Sequence, residues 1–378
     1  MRFSSEISTP DPRRRGLPRR RLVVATLVVA GLFAAACSSS GGSAPTTSPS
    51  TLDVGTLTPE PTDAPDTASI DTSGDTAAPE TVGTTPSGAP VFPLTGLPAP
   101  DAAAAQHPAM VVKVGNYDAH PQRGLSNADI VYEEIINANV SRFAAVFQSK
   151  TSKEVGPIRS GRRQDVNLFG SLNRPIFAWA GGNPTVSGEI RASDLIDFSQ
   201  SKCQNTCYRS HDDTPSEFTL MFNVEKLYAL SVPKAGAPPA QFQYRAAGDA
   251  LPGSASLGVK LTMDNYKVDW TWNVANKQYD RAQNGRPDKG KAGDLLTTEN
   301  IVVLEMVYIP GVSHSPDAQS VGNGKAWVFT AGNMVEGTWT RASRTQPFTL
   351  KDASGNIIKL TPGRTFIELP RKGNTTPK

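Results

Sequence analysis

Asp129–Ile136 reads DIVYEEII, Asn137–Asn139 reads NAN, and Val140–Ser149 reads VSRFAAVFQS. Two runs rich in β-branched and aromatic residues, joined by a three-residue Asn-Ala-Asn step, predict an antiparallel hairpin. Charge is woven into both runs, with Asp129, Glu133 and Glu134 on the first and Arg142 on the second. Strand side chains alternate between faces, so Glu133 and Glu134 point to opposite sides, while Asp129 shares a side with Glu133.

Outward from the hairpin, Met110–Val114 (MVVKV) predicts a buried strand ended by Gly115-Asn116, and Pro175–Ala180 (PIFAWA) another, closed by Gly181-Gly182. Between them Ser160 is a candidate N-cap for a helix in which Val166, Phe169 and Leu172 recur at spacing three, with Pro175 as its stop. Residues 187–198 and 223–230 also have helical character. Strands and helices alternate without a clear βαβ repeat, which predicts an α+β class rather than a doubly wound sheet.

The C-terminal part is richer in strand signals. Val268, Trp270 and Trp272 alternate with polar residues, and Tyr279–Arg281 follows a turn. Ile301–Tyr308 (IVVLEMVY) predicts a buried strand. Lys325–Thr330 and Met334–Thr340 flank Ala331-Gly332-Asn333 as one hairpin, and Phe348–Lys351 and Ile357–Leu360 flank Asp352–Asn356 as another. Thr365–Leu369 is expected to close the sheet. Trp270, Trp272, Trp327 and Trp339 suggest either a sugar-stacking surface or, the commoner use of such aromatics, a β core.

The N-terminal part differs in kind. Arg13–Arg15 and Arg19–Arg21 form a basic region, and the apolar run Leu22–Ala36 is short for a membrane span but suits the core of a signal peptide. It ends in Leu32-Phe33-Ala34-Ala35-Ala36-Cys37, which resembles a lipobox, with Ala34 where that pattern usually has Leu. Lipidation of the Cys37 thiol is the expectation; an ordinary signal peptide or an uncleaved anchor is the alternative. Arg19–Val23 also fits a loose twin-arginine pattern, so the export route stays open. Ser38 to about Pro90 is Ser/Thr/Pro/Gly-rich without apolar periodicity, the composition of a disordered tether with an r.m.s. span of about 40 Å. The expected organisation is therefore a signal peptide at 1–36, a tether at 37–90, domains at 91–252 and 258–370, and a disordered tail at 371–378.

Net charge is +3, and seven arginines among the first 21 residues supply more than that. The remainder has no basic excess, which argues against a nucleic-acid partner. Cys203 and Cys207 form a C-x3-C pair, and in an exported chain such thiols usually join in a disulfide. No Cys/His spacing suggests a metal, no cofactor motif occurs, and neither Gly-x-Ser-x-Gly nor His-Glu-x-x-His is present.

The remaining chemistry sits around the first hairpin. Arg159, Arg162 and Arg163 follow Gly156-Pro157 at the expected helix start. Guanidinium forks suit carboxylate or phosphate, and a helix N-terminus adds backbone N–H donors. Asn116, Asp129, Glu133, Arg142, Arg159 and Arg162 are the candidate ligand-binding set, with no residue assigned a catalytic role. The competing view is a structural ion-pair network that fixes strand register.

Pro93–Pro98 (PLTGLP), Pro121–Leu125 (PQRGL), Ala128–Glu134 (ADIVYEE), Ser141–Phe143 (SRF) and Val155–Arg162 (VGPIRSGR) make an ordered set. Tyr279–Arg281, Asn284-Gly285, Asn300–Val303, Gly322-x-Gly324-Lys325, Gly337–Trp339 and Leu360–Gly363 extend it. Together they resemble the YerB family of bacterial lipoproteins, which carry the DUF3048 domains, over about residues 93–370. Where that family has a Pro-His-Asn step, this chain has Pro215-Ser216-Glu217, and the usual His near Pro287-Asp288 is missing. The resemblance implies a two-domain α/β envelope lipoprotein and supplies no reaction. The leading expectation is a non-enzymatic protein, lipid-anchored on the extracytoplasmic face, that binds an anionic wall component or a wall-synthesis partner. The alternatives are a hydrolase or transferase acting on wall polymers through acidic residues, and a structural scaffold between envelope proteins.

Overall fold

The computed structural model describes residues 88–117, 121–213 and 215–378. The expectations for the export segment, for Cys37 and for the tether up to residue 87 fall outside these residues. Among the described residues no helix is long and apolar enough to cross a membrane.

The first half opens with a single helical turn, α1 (Ala102–Ala105), capped by Asp101. Strand β1 (Met110–Gly115) follows, then the expected hairpin as β2 (Ile130–Ile136) and β3 (Val140–Phe147). β3 lies antiparallel to both of the others, with Ile136 across from Val140 at the hairpin end. The turn works because Ala138 and Asn139 adopt left-handed backbone conformations at φ 66° and 55°.

Helices fill the space behind. The helix expected from Ser160 begins later, as α2 (Arg163–Leu168), because Asp165 captures the Arg162 backbone N–H at 2.6 Å and sets the cap there. A 3-10 turn over Gly170–Leu172 and left-handed Asn173 end the segment before Pro175. Strand β4 (Ile176–Ala178) comes next. The helix read over 187–198 lies instead at α3 (Pro184–Ala192), where Asn183 accepts from the Thr185 N–H and Pro184 opens the first turn. Part of the remainder is strand β5 (Ile196–Asp197). β6 (Cys207–Arg209) and β7 (Leu220–Phe222) make a small ribbon, followed by α4 (Val224–Tyr228) capped by Asn223. Cys203 and Cys207 are joined by a disulfide.

The second half supplies β8 (Ser254–Ala255), β9 (Gly258–Met263), β10 (Tyr266–Asn273), β11 (Gln278–Gln283), β12 (Arg286–Pro287) and β13 (Thr297–Thr298). β14 (Asn300–Leu304) is shorter than the expected 301–308 strand. Beyond Leu304 the backbone changes partner, with the Met306 N–H donating to the Pro370 carbonyl, and Tyr308 begins β15 (Tyr308–Pro310). β16 (Pro316–Ala318), the hairpin β17 (Gly322–Thr330) and β18 (Asn333–Arg341), β19 (Thr349–Asp352), β20 (Thr365–Leu369) and β21 (Thr375–Pro377) complete the set. Ala331 and Gly332 turn β17 into β18 with positive φ, as the Ala-Gly-Asn step predicts. The hairpin expected around Asp352–Asn356 is reduced, with Ile357 making only an isolated bridge to Lys351.

Two findings change the expected layout. β20 is not a closing strand: it lies in the middle, parallel to β14 on one side and to β2 on the other. It joins the two halves into one eleven-stranded sheet of order β19-β18-β17-β14-β20-β2-β3-β1-β4-β5 with β8 beside β18. The tail expected to be disordered is also structured, since β21 pairs with β9 and the Lys378 N–H bonds to the Gly258 carbonyl.

The class is mixed α/β and sheet-rich, and each face of the long sheet has its own core. Val112, Val131, Phe143 and Phe366 pack against Leu261, Val268 and Trp270 of the second sheet, which runs β12-β11-β10-β9-β21. Tyr132, Ala144 and Val146 on the opposite face pack with Leu168, Phe169 and Ile190 of the helical layer. Trp270, Trp327 and Trp339 are buried, so they serve the core rather than a sugar platform.

Candidate anion site

The hairpin register decides the chemistry. Glu134 lies directly across β2 and β3 from Arg142, and Arg142 lies across from Gly115 of β1. All three share the helix-covered face. Lys113 of β1 reaches over to pair with Glu134 and with Asp165 of α2 at 2.8 Å, and all three side chains are fully buried. Burial, then the neighbouring Asp165 charge, pushes Glu134 up to about 7.

The segment after Pro157 runs beside the end of β1, with the Arg159 N–H bonded to the Lys113 carbonyl at 2.9 Å. Gly115 makes this approach possible: a Cβ there would meet Tyr117 Cε2 at 2.8 Å and Arg159 Cγ at 2.9 Å. Arg159 stacks against Tyr117 and Phe218, its carbon Cζ 5.5 and 5.6 Å from the ring centres. Its terminal nitrogens donate to the Glu217 carbonyl and the Tyr117 hydroxyl. Arg162 donates to the Gly161 carbonyl and to Asn137 Oδ1, and Arg142 to the Ser160 carbonyl.

Every one of these acceptors is uncharged. The three guanidiniums are therefore held in place without being neutralised there. Arg142 is pushed down to about 10 by burial and by the Arg162 charge, and burial likewise lowers Arg162. The buried Nε of Arg142, Arg159 and Arg162, and Glu134 Oε2, find no hydrogen-bond partner among the described residues. A preorganised, partly desolvated cation cluster with spare donors is suited to an anion. The α2 N-terminus, expected to help, is already occupied by Asp165.

The other candidates lie elsewhere. Glu133 faces the second sheet, where Arg281 of β11 pairs with it at 2.5 Å. Asn116 joins that side, donating to Ser141 Oγ at 2.9 Å and exchanging hydrogen bonds with Gln283. Arg281 also pairs with Asp288 and lies 4.0 Å from Glu368, which accepts from Trp270 Nε1 at 2.7 Å. Burial would lower Arg281, but Glu133, Asp288 and Glu368 outweigh it and hold it above its ordinary range. Burial, then Glu133, pushes Glu368 well above the usual carboxylate range. Asp129 belongs to neither group. It accepts from the Gln148 and Ser149 backbone N–H groups at 2.6 and 2.8 Å, and burial raises it.

The six expected residues thus separate into a cation cluster (Arg142, Arg159, Arg162), an interlock between the two sheets (Asn116, Glu133) and a local cap (Asp129). Lys113, Asp165, Arg281 and Glu368 were missed, and Glu134, noted on the hairpin, was left out of the set. A lysine inside the apolar MVVKV run was a usable signal, because a buried ammonium requires a partner. Asp129, Glu133 and Glu134 are all buried and separately engaged, so no two of them face each other across an open cleft.

A mixed α/β chain whose two halves share one sheet, with a cation cluster beside the seam, defines the class structurally. Family profiles described as "Protein of unknown function (DUF3048)" match its N-terminal domain to residues 94–237 and its C-terminal domain to residues 258–367. The chain belongs to this family. It is 29% identical over 300 residues to the protein named "Putative lipoprotein YerB" of Bacillus subtilis (strain 168), covering 73% of this chain and 85% of that one. The crystal structure of YerB from Bacillus subtilis has the same fold, with a TM-score of 0.65 at 22% identity, covering 76% of this chain and 98% of that one.

Proposed function

We propose that this chain is a lipid-anchored extracytoplasmic binding protein that captures an anionic component of the cell envelope through Arg142, Arg159 and Arg162. One observation carries the reading: three neighbouring guanidiniums are positioned by neutral oxygens and keep buried Nε–H donors unengaged. The anchored location draws on the signal-like N-terminus ending at Cys37 and on the lipoprotein name of the Bacillus relative. A wall hydrolase would need two carboxylates across an open cleft, and the acidic residues here are enclosed.

The test is photo-crosslinking in intact cells, comparing the wild type with Arg159→Gln. The expected result is an anionic envelope species captured by the wild type and lost in the variant, with both proteins melting within about 0.5 kcal/mol of each other. Equal loss of capture and stability would make the arginines structural. Turnover of wall fragments by the purified chain would replace binding with catalysis. Metabolic labelling with a radioactive fatty acid tests the anchor: Cys37→Ser should abolish incorporation.

A further inference from the structure

We propose that the group held by Arg142, Arg159 and Arg162 is a phosphomonoester; this rests on the anion reading above and narrows it to one chemistry. The first argument is charge. Lys113, Arg142, Arg159 and Arg162 bring four positive charges, and Glu134 and Asp165 bring at most two negative ones, Glu134 being raised to about 7, so the cluster carries an excess of at least two. A carboxylate or a phosphodiester supplies one negative charge, whereas a phosphomonoester carries roughly 1.5 to 2 near pH 7. The last comes nearest to neutralising the excess.

The second argument is the number of donors. The spare Nε–H donors belong to Arg142 in β3 and to Arg159 and Arg162 in the segment that runs from beside β1 to the head of α2. A carboxylate has two oxygens in one plane and is satisfied by a single fork. A phosphoryl group presents three terminal oxygens, enough acceptors to engage all three guanidiniums. The setting also suits an ester rather than a free ion. Arg142 is deeply buried, while Arg159 and Arg162 are partly exposed and Tyr117 and Phe218 lie against Arg159. The phosphoryl end is held inside and the organic part leaves past the aromatic rings.

The experiment is calorimetric titration of the full chain with three probes sharing one ring: phenyl phosphate, methyl phenyl phosphate and benzoate. Phenyl phosphate is expected to bind at least about tenfold more tightly than either of the others. Arg162→Gln and Arg159→Gln, each checked for native circular dichroism, are expected to lose at least about tenfold of that affinity. Equal or tighter binding of benzoate or the diester, still dependent on the arginines, overturns the phosphomonoester and leaves the anion reading standing. Failure of all three probes to bind, or binding that both variants retain in full, overturns both.

Discussion

Glu133 and Glu134 are neighbours on one strand, equally buried, and each is paired with a buried cation, yet they belong to opposite kinds of cluster. On the Glu133 side a single Arg281 is surrounded by Glu133, Glu368 and Asp288, with Phe143 and Trp270 against the guanidinium. Negative charge is in excess, and the protein relieves it internally by holding Glu368 far above its ordinary range. On the Glu134 side cations are in excess and are tied by carbonyls, a hydroxyl and an amide. An arginine cannot shed its proton near neutrality, so this excess has no internal remedy of that kind. A closed acidic network locks two sheets together, whereas the basic one is left uncompensated among the described residues, which is the ground for the anion proposed above.

The sharpest way to break this contrast is to remove the central cation of the closed side. Arg281→Met should cost about 3–5 kcal/mol, because Glu133 and Glu368 would stay buried without their partner. The shift in urea midpoint measures it. Arg159→Gln should move the same midpoint hardly at all, and a loss below 1 kcal/mol for Arg281→Met would erase the distinction.

A second prediction concerns pH. The folded value of Glu134, about 7, lies above the ordinary 4.5, so folding favours its protonated form. Its contribution to stability is complete below about pH 4.5 and is lost as pH rises through 7, on the order of 3 kcal/mol at most. Lys113, Asp165, Arg142, Arg162 and Tyr308 are charged or titratable groups that bear on it. Glu134→Gln should flatten the decline in urea midpoint between pH 5 and 8. Asp129 and Glu368 are also raised and titrate in both proteins, so the difference between the two curves is the quantity to read. Parallel curves would show that Glu134 is already charged at the acid end.

How much of this was legible in the sequence depends on the range of the interaction. The hairpin at 129–149 was, because period-two patterning and a three-residue turn are local. The same turn places Ile136 opposite Val140 and hence Glu134 opposite Arg142, so the carboxylate on the arginine face was within reach although Glu133 was chosen. The three arginines were legible as residue types that suit anions. The place of β20 was not. TFIEL announces a strand, but nothing in five apolar-rich residues says that both neighbours are parallel and one of them lies more than two hundred residues away. Arg281 was hidden for the same reason: Asp288 is near it in the chain, but the carboxylates buried with it lie about 90 residues ahead in Glu368 and about 150 behind in Glu133.

The finest probe of the contrast is Gly115. Its neighbour across the sheet is Arg142, and the space above it is filled by Arg159 and Tyr117. Gly115→Ala adds one methyl group where both side chains approach within 3 Å of the new carbon. Those atoms belong to side chains rather than backbone, but Arg159 Cγ and the Tyr117 ring are not loose chain ends, so the fold survives with a loss of about 1–3 kcal/mol as both shift. The Arg159 guanidinium, however, leaves its position against Tyr117 and Phe218. Anion affinity should therefore fall severalfold while the Arg281 side is untouched, which a combined titration and urea melt would register. If affinity held while stability dropped by more than about 3 kcal/mol, the glycine would be serving the packing of the sheet, and the arginines would not owe their readiness to the open space it leaves.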